Sequence, residues 1–309
     1  MKAAVCTRYG PPEVLRLQDV DDPVAGAKDV LIRIRATTVT PSDCYIRSGI
    51  PSAPLISRLM MRVAIGFARP RRPILGAVLA GEIEAIGRKV KWFRVGDRVW
   101  AFTTLRMSCY AERIALPATL KLLTAAPSNL SHDEAAAIPY GGLIASYFLG
   151  KANIKRGQKV LIYGASGANG TCAVQLAKHL GAQVTAVCST ANVELARSLS
   201  ADTVLDYTKD ETSALERYDV VFDAVGRRKT SPLKLALRDA LTQAGKFISV
   251  DDALPRLRRN DLIGLKDLAE AGKLKPVIDR RYPLEQIAEA HHYVEQGHKK
   301  GNVVITIAD

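Results

Sequence analysis

The stretch from Lys159 to Leu180 restricts this chain to very few folds. Val160-Leu161-Ile162-Tyr163 is a short run of β-branched, apolar and aromatic residues, the signature of a buried strand. Gly164-Ala165-Ser166-Gly167-Ala168-Asn169-Gly170 follows directly, and from Thr171 onward Ala173, Val174, Leu176, Ala177 and Leu180 recur at helical spacing. Strand, glycine-rich turn and helix in that order make a cradle for phosphate. Glycines allow a tight turn that a diphosphate can approach, and the free N–H groups and dipole at the helix start attract its charge. The spacing is Gly-x-x-Gly-x-x-Gly rather than Gly-x-Gly-x-x-Gly, so the flanking strand and helix carry the argument. The amides of Ser166, Gly167, Ala168 and Asn169 are the expected phosphate contacts.

A second strand is read at Gln183 to Cys188, and its end falls where an acidic residue would hold the ribose hydroxyls of NAD. Here the residues are Ser189, Thr190, Ala191 and Asn192, and along the chain no carboxylate follows before Glu194. Hydroxyls and an amide donate to a 2′-phosphate that a carboxylate would repel. Ser189, Thr190 and Asn192 therefore point to NADP(H), with Arg197 the nearest basic residue.

At 309 residues the chain is long enough for two domains. Its first residues lack the apolar region of a signal peptide, and the longest uncharged run, 135–150, is short for a span and carries Pro139. A cytoplasmic protein without a membrane partner is the expectation. Five scattered cysteines form no Cys-x-x-Cys pair, which argues against a disulfide framework or a zinc knuckle. The net charge of +13 could steer anions or bind nucleic acid. Few aromatics interleave the basic clusters, so a solvated basic surface is expected and a nucleic-acid partner is not.

Before Pro127 the pattern is β-rich, with strands at Lys2–Cys6, Leu15–Asp19 and Val30–Thr38 and a helical turn at Cys44–Arg47. Residues 51–73 read as an irregular insertion with apolar Leu59, Met60, Met61, Ile65 and Phe67, either a pocket cover or a surface loop. Leu75–Ile86 reads as a strand pair, Val95–Val99 turns into another strand, and Ala111–Ala115 is one more. Ser131 and Glu134 form a capping box ahead of a helix at 132–137, and a second helix spans 142–149. Strands at 160–163, 183–188, 203–206, 219–224 and 246–250 then alternate with helices at 169–180, 193–199 and 232–240, which means a parallel sheet covered on both faces. A helix at 261–271, a short strand at 276–278, a helix from Pro283 and a strand at 302–307 complete the reading.

Several pieces together resemble the zinc-independent branch of the medium-chain dehydrogenase/reductase superfamily, the quinone oxidoreductase and enone reductase group. They are Asp43 to Gly49, Gly81 to Gly87 with Val95 to Val99, the glycine turn, Asp206-Tyr207, Phe222 to Gly226, Gly272 to Ile278 and Gly297 to Ile307. The resemblance covers nearly the whole chain. It implies an α/β fold: a GroES-like β-rich barrel at 1–127 for substrate, a Rossmann doubly wound parallel sheet at 128–272 for NADPH, a return to the first domain at 273–309, and a cleft between the two. It adds Tyr207, Val225 and Gly226 to the cofactor contacts.

Zinc-dependent relatives carry Cys where Thr40 stands and His-Glu where Ala77-Val78 stand, so this side-chain set cannot hold a catalytic zinc and no metal is expected. His291 and His292 are adjacent on one helix and point apart. Without a Lewis acid, a conjugated enone or a quinone is the easier substrate, because its charge spreads as hydride adds and hydrogen-bond donors suffice. By resemblance Tyr45 lines the substrate wall, Thr40 lies near the nicotinamide and Tyr140 opens the cleft helix. An unperturbed tyrosine, with a pKa of about 10, stays protonated at neutral pH, so each is a hydrogen-bond donor or simply a wall residue.

Asn169, Ile144 and Ala191 depart from the pattern of relatives, and the segment 251–260 is too short for the strand that commonly pairs across their dimer interface. An altered homodimer or a monomer follows from that gap. The reading is an NADPH-dependent, zinc-independent reductase of quinones or α,β-unsaturated carbonyls, with a non-catalytic NADPH-binding sensor or scaffold as the rival.

Overall fold

Alternating apolar residues build the first strands of the computed structural model, which describes residues 1–49, 55–209, 212–228 and 230–308. β1 (Lys2–Cys6) pairs antiparallel with β2 (Leu15–Asp19), Lys2 opposite Asp19. In β3 (Asp29–Val39), Val30, Ile32, Ile34 and Ala36 are buried while Leu31, Arg33 and Arg35 alternate on the other face. Thr40 caps α1 (Pro41–Arg47) through a reciprocal capping box with Asp43.

α2 (Leu55–Ile65) is a correction to the insertion expected at 51–73. Eleven residues without Gly or Pro form a helix between flanking prolines. Residues 51–54 lie outside the described residues. The strand pair expected at Leu75–Ile86 is a single strand, β4 (Val78–Ile86). Gly76, at φ +83°, turns the chain just before it, and a Cβ there would meet the Tyr110 ring at 2.4 Å. β5 (Arg98–Phe102), β6 (Arg113–Pro117), β7 (Leu123–Ala125) and α3 (His132–Ala136) follow. Glu84 on β4 binds Arg33 at 2.5 Å and Arg113 at 2.8 Å, joining β3, β4 and β6 across their polar face.

The parallel sheet begins after α4 (Pro139–Ala152) with β8 (Lys159–Tyr163) and continues through α5 (Ala168–His179), β9 (Gln183–Cys188), α6 (Val193–Ser198), β10 (Thr203–Asp206), β11 (Tyr218–Asp223), α7 (Pro232–Ala236), β12 (Leu241–Ser249) and α8 (Arg259–Glu270). Its order is β10-β9-β8-β11-β12, every pair parallel, with Leu161, Val187 and Val221 in its core. The chain runs outward from β8 in both directions, so β8 and β11 flank the switch point where ligands bind in such sheets. β12 is an edge, and residues 251–258 add no further strand.

β13 (Ile278–Pro283), α9 (Ile287–Glu295) and β14 (Asn302–Thr306) return to the antiparallel sheet, whose order is β13-β14-β3-β4-β5-β7 with β6 also on β3. The strand expected at 276–278 begins only at Ile278, because Pro276 has no N–H for a ladder. Two compact units result, Met1–Pro139 with Ile278–Asp309, and Tyr140–Val277. They divide after Pro139 and Val277 rather than after 127 and 272: α3 is tied into the first unit, and Gln175 holds Lys275 in the second through its N–H at 2.8 Å and its carbonyl at 3.0 Å. His132 bonds Glu82 at 3.2 Å, and Asp133 meets Arg281 at 2.7 Å and the Thr306 hydroxyl at 3.1 Å. All five cysteines are free and buried, Cys6, Cys44 and Cys109 in the first unit and Cys172 and Cys188 in the second.

Candidate functional site

The turn after β8 is held by its own backbone. The N–H groups of Gly164 and Ala165 both donate to Val187 O at 3.0 Å. Gly164 has φ +78°, and a Cβ there would lie 2.2 Å from Val225 Cγ2; one on Gly170 would lie 2.1 Å from Gly164 O. Packing within the chain therefore demands both glycines. Gly167 differs. It caps α5 with φ −81°, and a Cβ on it would meet only Gly164 O, at 3.7 Å. The chain leaves that space open directly over the first turn of α5, where the N–H groups of Ala168, Asn169 and Gly170 have no carbonyl one turn back. Open backbone plus unpartnered amides fits a diphosphate.

Asn169 points its amide toward the loop after β11, donating from Nδ2 to Ala224 O at 3.4 Å, and its buried Oδ1 finds no partner among the described residues. Asn192 is also buried; its Nδ2 donates to Ser166 Oγ at 3.2 Å and Ser189 Oγ at 3.0 Å, and its Oδ1 is likewise unpartnered. Ser166, Ser189 and Asn192 are thus brought together across the tips of β8 and β9.

Thr190 is placed differently from the expectation of a carboxylate-free tip. Its hydroxyl donates to Asp206 Oδ2 and lies 3.0 Å from Thr208 Oγ1. Asp206 ends β10 opposite Cys188 of β9, so a carboxylate remote in sequence stands beside the second-strand tip. Burial alone would raise its carboxyl, but hydrogen bonds from Thr190 and Thr208, with Lys209 4.0 Å away, hold it below the usual range. Arg197 is paired with Glu194 at 2.6 Å, both exposed. Tyr207 is half-buried, its ring 6.1 Å from that of Tyr163.

The loop carrying Val225 and Gly226 is organised by residues that sequence reading did not single out. Buried Asp223 accepts the N–H groups of Val225 at 3.1 Å and Gly226 at 3.0 Å and pairs with Lys234 at 2.9 Å. Lys234 also donates to Gly226 O and lies 5.2 Å from the Tyr163 ring centre. Asp251 accepts the N–H of Arg227 at 2.6 Å, so the shortened segment props this loop. Aspartate ahead of Val-Gly, with acceptor geometry two and three residues on, is the local signal that marks Asp223. Nothing local marks Lys234.

In the first unit, Thr40 is buried and bonded to Asp43 Oδ2 through both Oγ1 (2.6 Å) and its N–H (2.8 Å). Burial pushes the Asp43 carboxyl up to about 6 against the Thr40 hydrogen bonds. Buried His291 lies 3.4 Å from Cys44 Sγ and 3.2 Å from Tyr110 OH, while His292 faces outward to Glu13 at 2.5 Å. Burial and then the Arg47 charge push His291 well below its usual value, so the imidazole is neutral. Tyr45, on α1, is half-buried against the first unit's core; Tyr140 is buried in the first turn of α4, in the second unit. Thr40, Ala77 and Val78 bring neither nitrogen nor thiolate, and the described residues contain no group of three or more His, Cys, Asp or Glu side chains placed to hold a metal. No helix of the described residues is long and apolar enough to cross a membrane.

Comparison with known proteins extends these observations. Residues 26–153 match the family model of the alcohol dehydrogenase GroES-like domain, and residues 168–250 and 252–305 match two models of zinc-binding dehydrogenases. The chain is 32% identical to the chloroplastic NADPH-dependent alkenal/one oxidoreductase of Arabidopsis thaliana, over 99% of this chain and 79% of that protein. It is 31% identical to the mitochondrial NAD(P)H oxidoreductase RTN4IP1 of Mus musculus, over 99% and 89%. The solved quinone oxidoreductase from Coxiella burnetii superposes with a TM-score of 0.86 at 26% identity, covering 100% of this chain and 99% of that one.

Proposed function

The chain belongs to the zinc-independent branch of the medium-chain dehydrogenase/reductase superfamily, in the quinone oxidoreductase group, and from that premise we propose that it is an NADPH-dependent reductase of quinones or α,β-unsaturated carbonyls. The observation that carries the reading is the space left open over Gly167 at the first turn of α5. When bound, a reduced nicotinamide supplies the hydride.

This chain's own residues do the rest. The amides of Ala168, Asn169 and Gly170 hold the diphosphate in the space over Gly167, whose own N–H donates to Gly164 O at 3.1 Å. Ser166, Ser189 and Asn192 face the adenosine ribose and its phosphate, and Asn192 Oδ1 accepts a ribose hydroxyl. Tyr207, Val225 and Gly226 flank the cofactor from the loops after β10 and β11. By the family resemblance, the phenol of Tyr45 donates to the substrate oxygen as charge develops on it. Thr40 depends on Asp43. An ionised Asp43 accepts the hydrogen bond of the Thr40 hydroxyl, whereas a protonated Asp43 donates to Thr40 Oγ1 and leaves the Thr40 O–H to donate to that oxygen.

Stopped-flow absorbance of NADPH with a panel of quinones and enones tests the reading. Rapid oxidation with at least one of them is the expected result, and none above background from folded protein overturns it. Tight NADPH binding with no turnover across the panel assigns the chain to sensing instead.

A further inference from the structure

The stretch between Asp43 and Glu82 contains no acidic residue and six arginines, at 47, 58, 62, 69, 71 and 72. α2 lies within it, and its two sides differ. Toward the body of the unit, Ile65 is buried, Met61 packs on the core, and Arg62 lies over the Tyr9 ring at 4.2 Å while bonding Gly49 O and Phe67 O. On the other side Leu59 is 53% exposed, Met60 70% and Val63 60%, and just beyond the helix Phe67 is 68% exposed. At 100° per residue, Leu59, Met60 and Val63 share one arc of the helix. Single exposed apolar residues are ordinary, but three on one helix arc with a fourth just past the helix end are not.

The charged residues that flank this face along the chain are all of one sign. Arg69, Arg71 and Arg72 are exposed, and among the described residues no carboxylate pairs with them. Phe67, Arg69 and Arg71 line an open cavity of about 620 Å³ together with Val5, Cys6 and Pro70. An apolar helix face beside unneutralised guanidinium groups fits a surface that offers hydrocarbon and anionic oxygens together. Arginine forks match phosphate geometry, and an apolar arc inserts to the level of the acyl boundary.

We propose that α2 and the segment 66–72 dock this protein onto the surface of an anionic lipid bilayer, with Leu59, Met60, Val63 and Phe67 entering the headgroup region and Arg69, Arg71 and Arg72 on lipid phosphates. Crossing a bilayer needs a long apolar helix; lying on one requires no span. The inference stands apart from the reductase reading and does not depend on turnover.

Flotation of the full-length protein with vesicles of phosphatidylcholine containing 30% phosphatidylglycerol, and with phosphatidylcholine alone, tests it. Binding to the anionic vesicles at least tenfold stronger than to the neutral ones, and weakening with added salt, is expected. Met60→Ser with Phe67→Ser reduces anionic-vesicle binding about tenfold at an unchanged thermal midpoint, and Arg69→Gln with Arg72→Gln reduces it about fivefold per arginine. Absence of binding, equal binding to both vesicles, or binding untouched by either pair overturns the proposal. A protein that sediments as a dimer and becomes a monomer on the Met60→Ser, Phe67→Ser change also overturns it, because the face then belongs to a second copy.

Discussion

The hydroxyl of Thr190, at the tip of β9, donates to the carboxylate of Asp206, at the end of β10. The pair places a negative charge beside the position where an adenosine 2′-phosphate is proposed to lie. Replacing Asp206 by Asn removes the charge and keeps one of the two acceptor oxygens that Thr190 and Thr208 use. We expect Asp206→Asn to raise the preference for NADP+ over NAD+ by about tenfold, the scale of one unit charge acting through a partly solvated gap. Titration calorimetry with both dinucleotides measures the ratio; an unchanged ratio removes Asp206 from the specificity argument.

Gly167 and Gly170 separate binding from folding. Gly167→Ala adds a methyl group where the chain has room, so stability should fall by less than about 1 kcal/mol, the scale of a poorer N-cap. Affinity for NADPH should nonetheless fall at least tenfold, because that methyl occupies the diphosphate's place. Gly170→Ala instead drives a Cβ into Gly164 O and should cost about 3 kcal/mol of stability. Urea titration alongside fluorescence-detected binding distinguishes the two; equal stability loss for both variants would contradict the distinction.

Asp43 imposes a pH dependence on the first unit. Its folded value, about 6, lies above the ordinary 3.8, so its contribution to stability is fully present below pH 4 and is lost as pH rises through 6. Asp43→Asn removes this titration while leaving an oxygen for Thr40. The stability difference between wild type and Asp43→Asn should therefore shift against the wild type by about 2 kcal/mol between pH 4 and 7. Denaturant curves at both pH values read it directly, and a constant difference would show that Asp43 is already ionised at pH 4.

Lys234 neutralises buried Asp223 while gripping Gly226 O. Lys234→Met leaves an uncompensated carboxylate and should cost about 3 kcal/mol, with part of the loss recovered in the Asp223→Asn, Lys234→Met double variant. A double-mutant cycle by urea unfolding gives the coupling, and additive losses would mean that the two groups act independently.

The parts of this fold legible in the sequence were those whose signal is local. Gly164 to Gly170, flanked by an apolar run and a helical repeat, needs no knowledge of the rest of the chain. Ser131 with Glu134 is equally local, and the structure forms that capping box. Asp206 was not legible as a neighbour of Thr190, because sixteen residues and the lateral order of two parallel strands separate them. Lys234 reaches Asp223 only once α7 has packed beneath the sheet tips. α2 was obscured by its punctuation: Pro51, Pro54, Pro70 and Pro73 suggested irregular chain, although the eleven residues of the helix contain no breaker.

The five buried thiols make this chain its own folding reporter. Burial pushes Cys6 and Cys188 up to about 11 and raises Cys44 and Cys109 as well, so these groups are protonated and shielded at neutral pH. A thiol reagent therefore reacts only when the structure around a given cysteine opens. Because three cysteines belong to one unit and two to the other, the masses of labelled peptides time the opening of each separately, with no dye and no engineered probe.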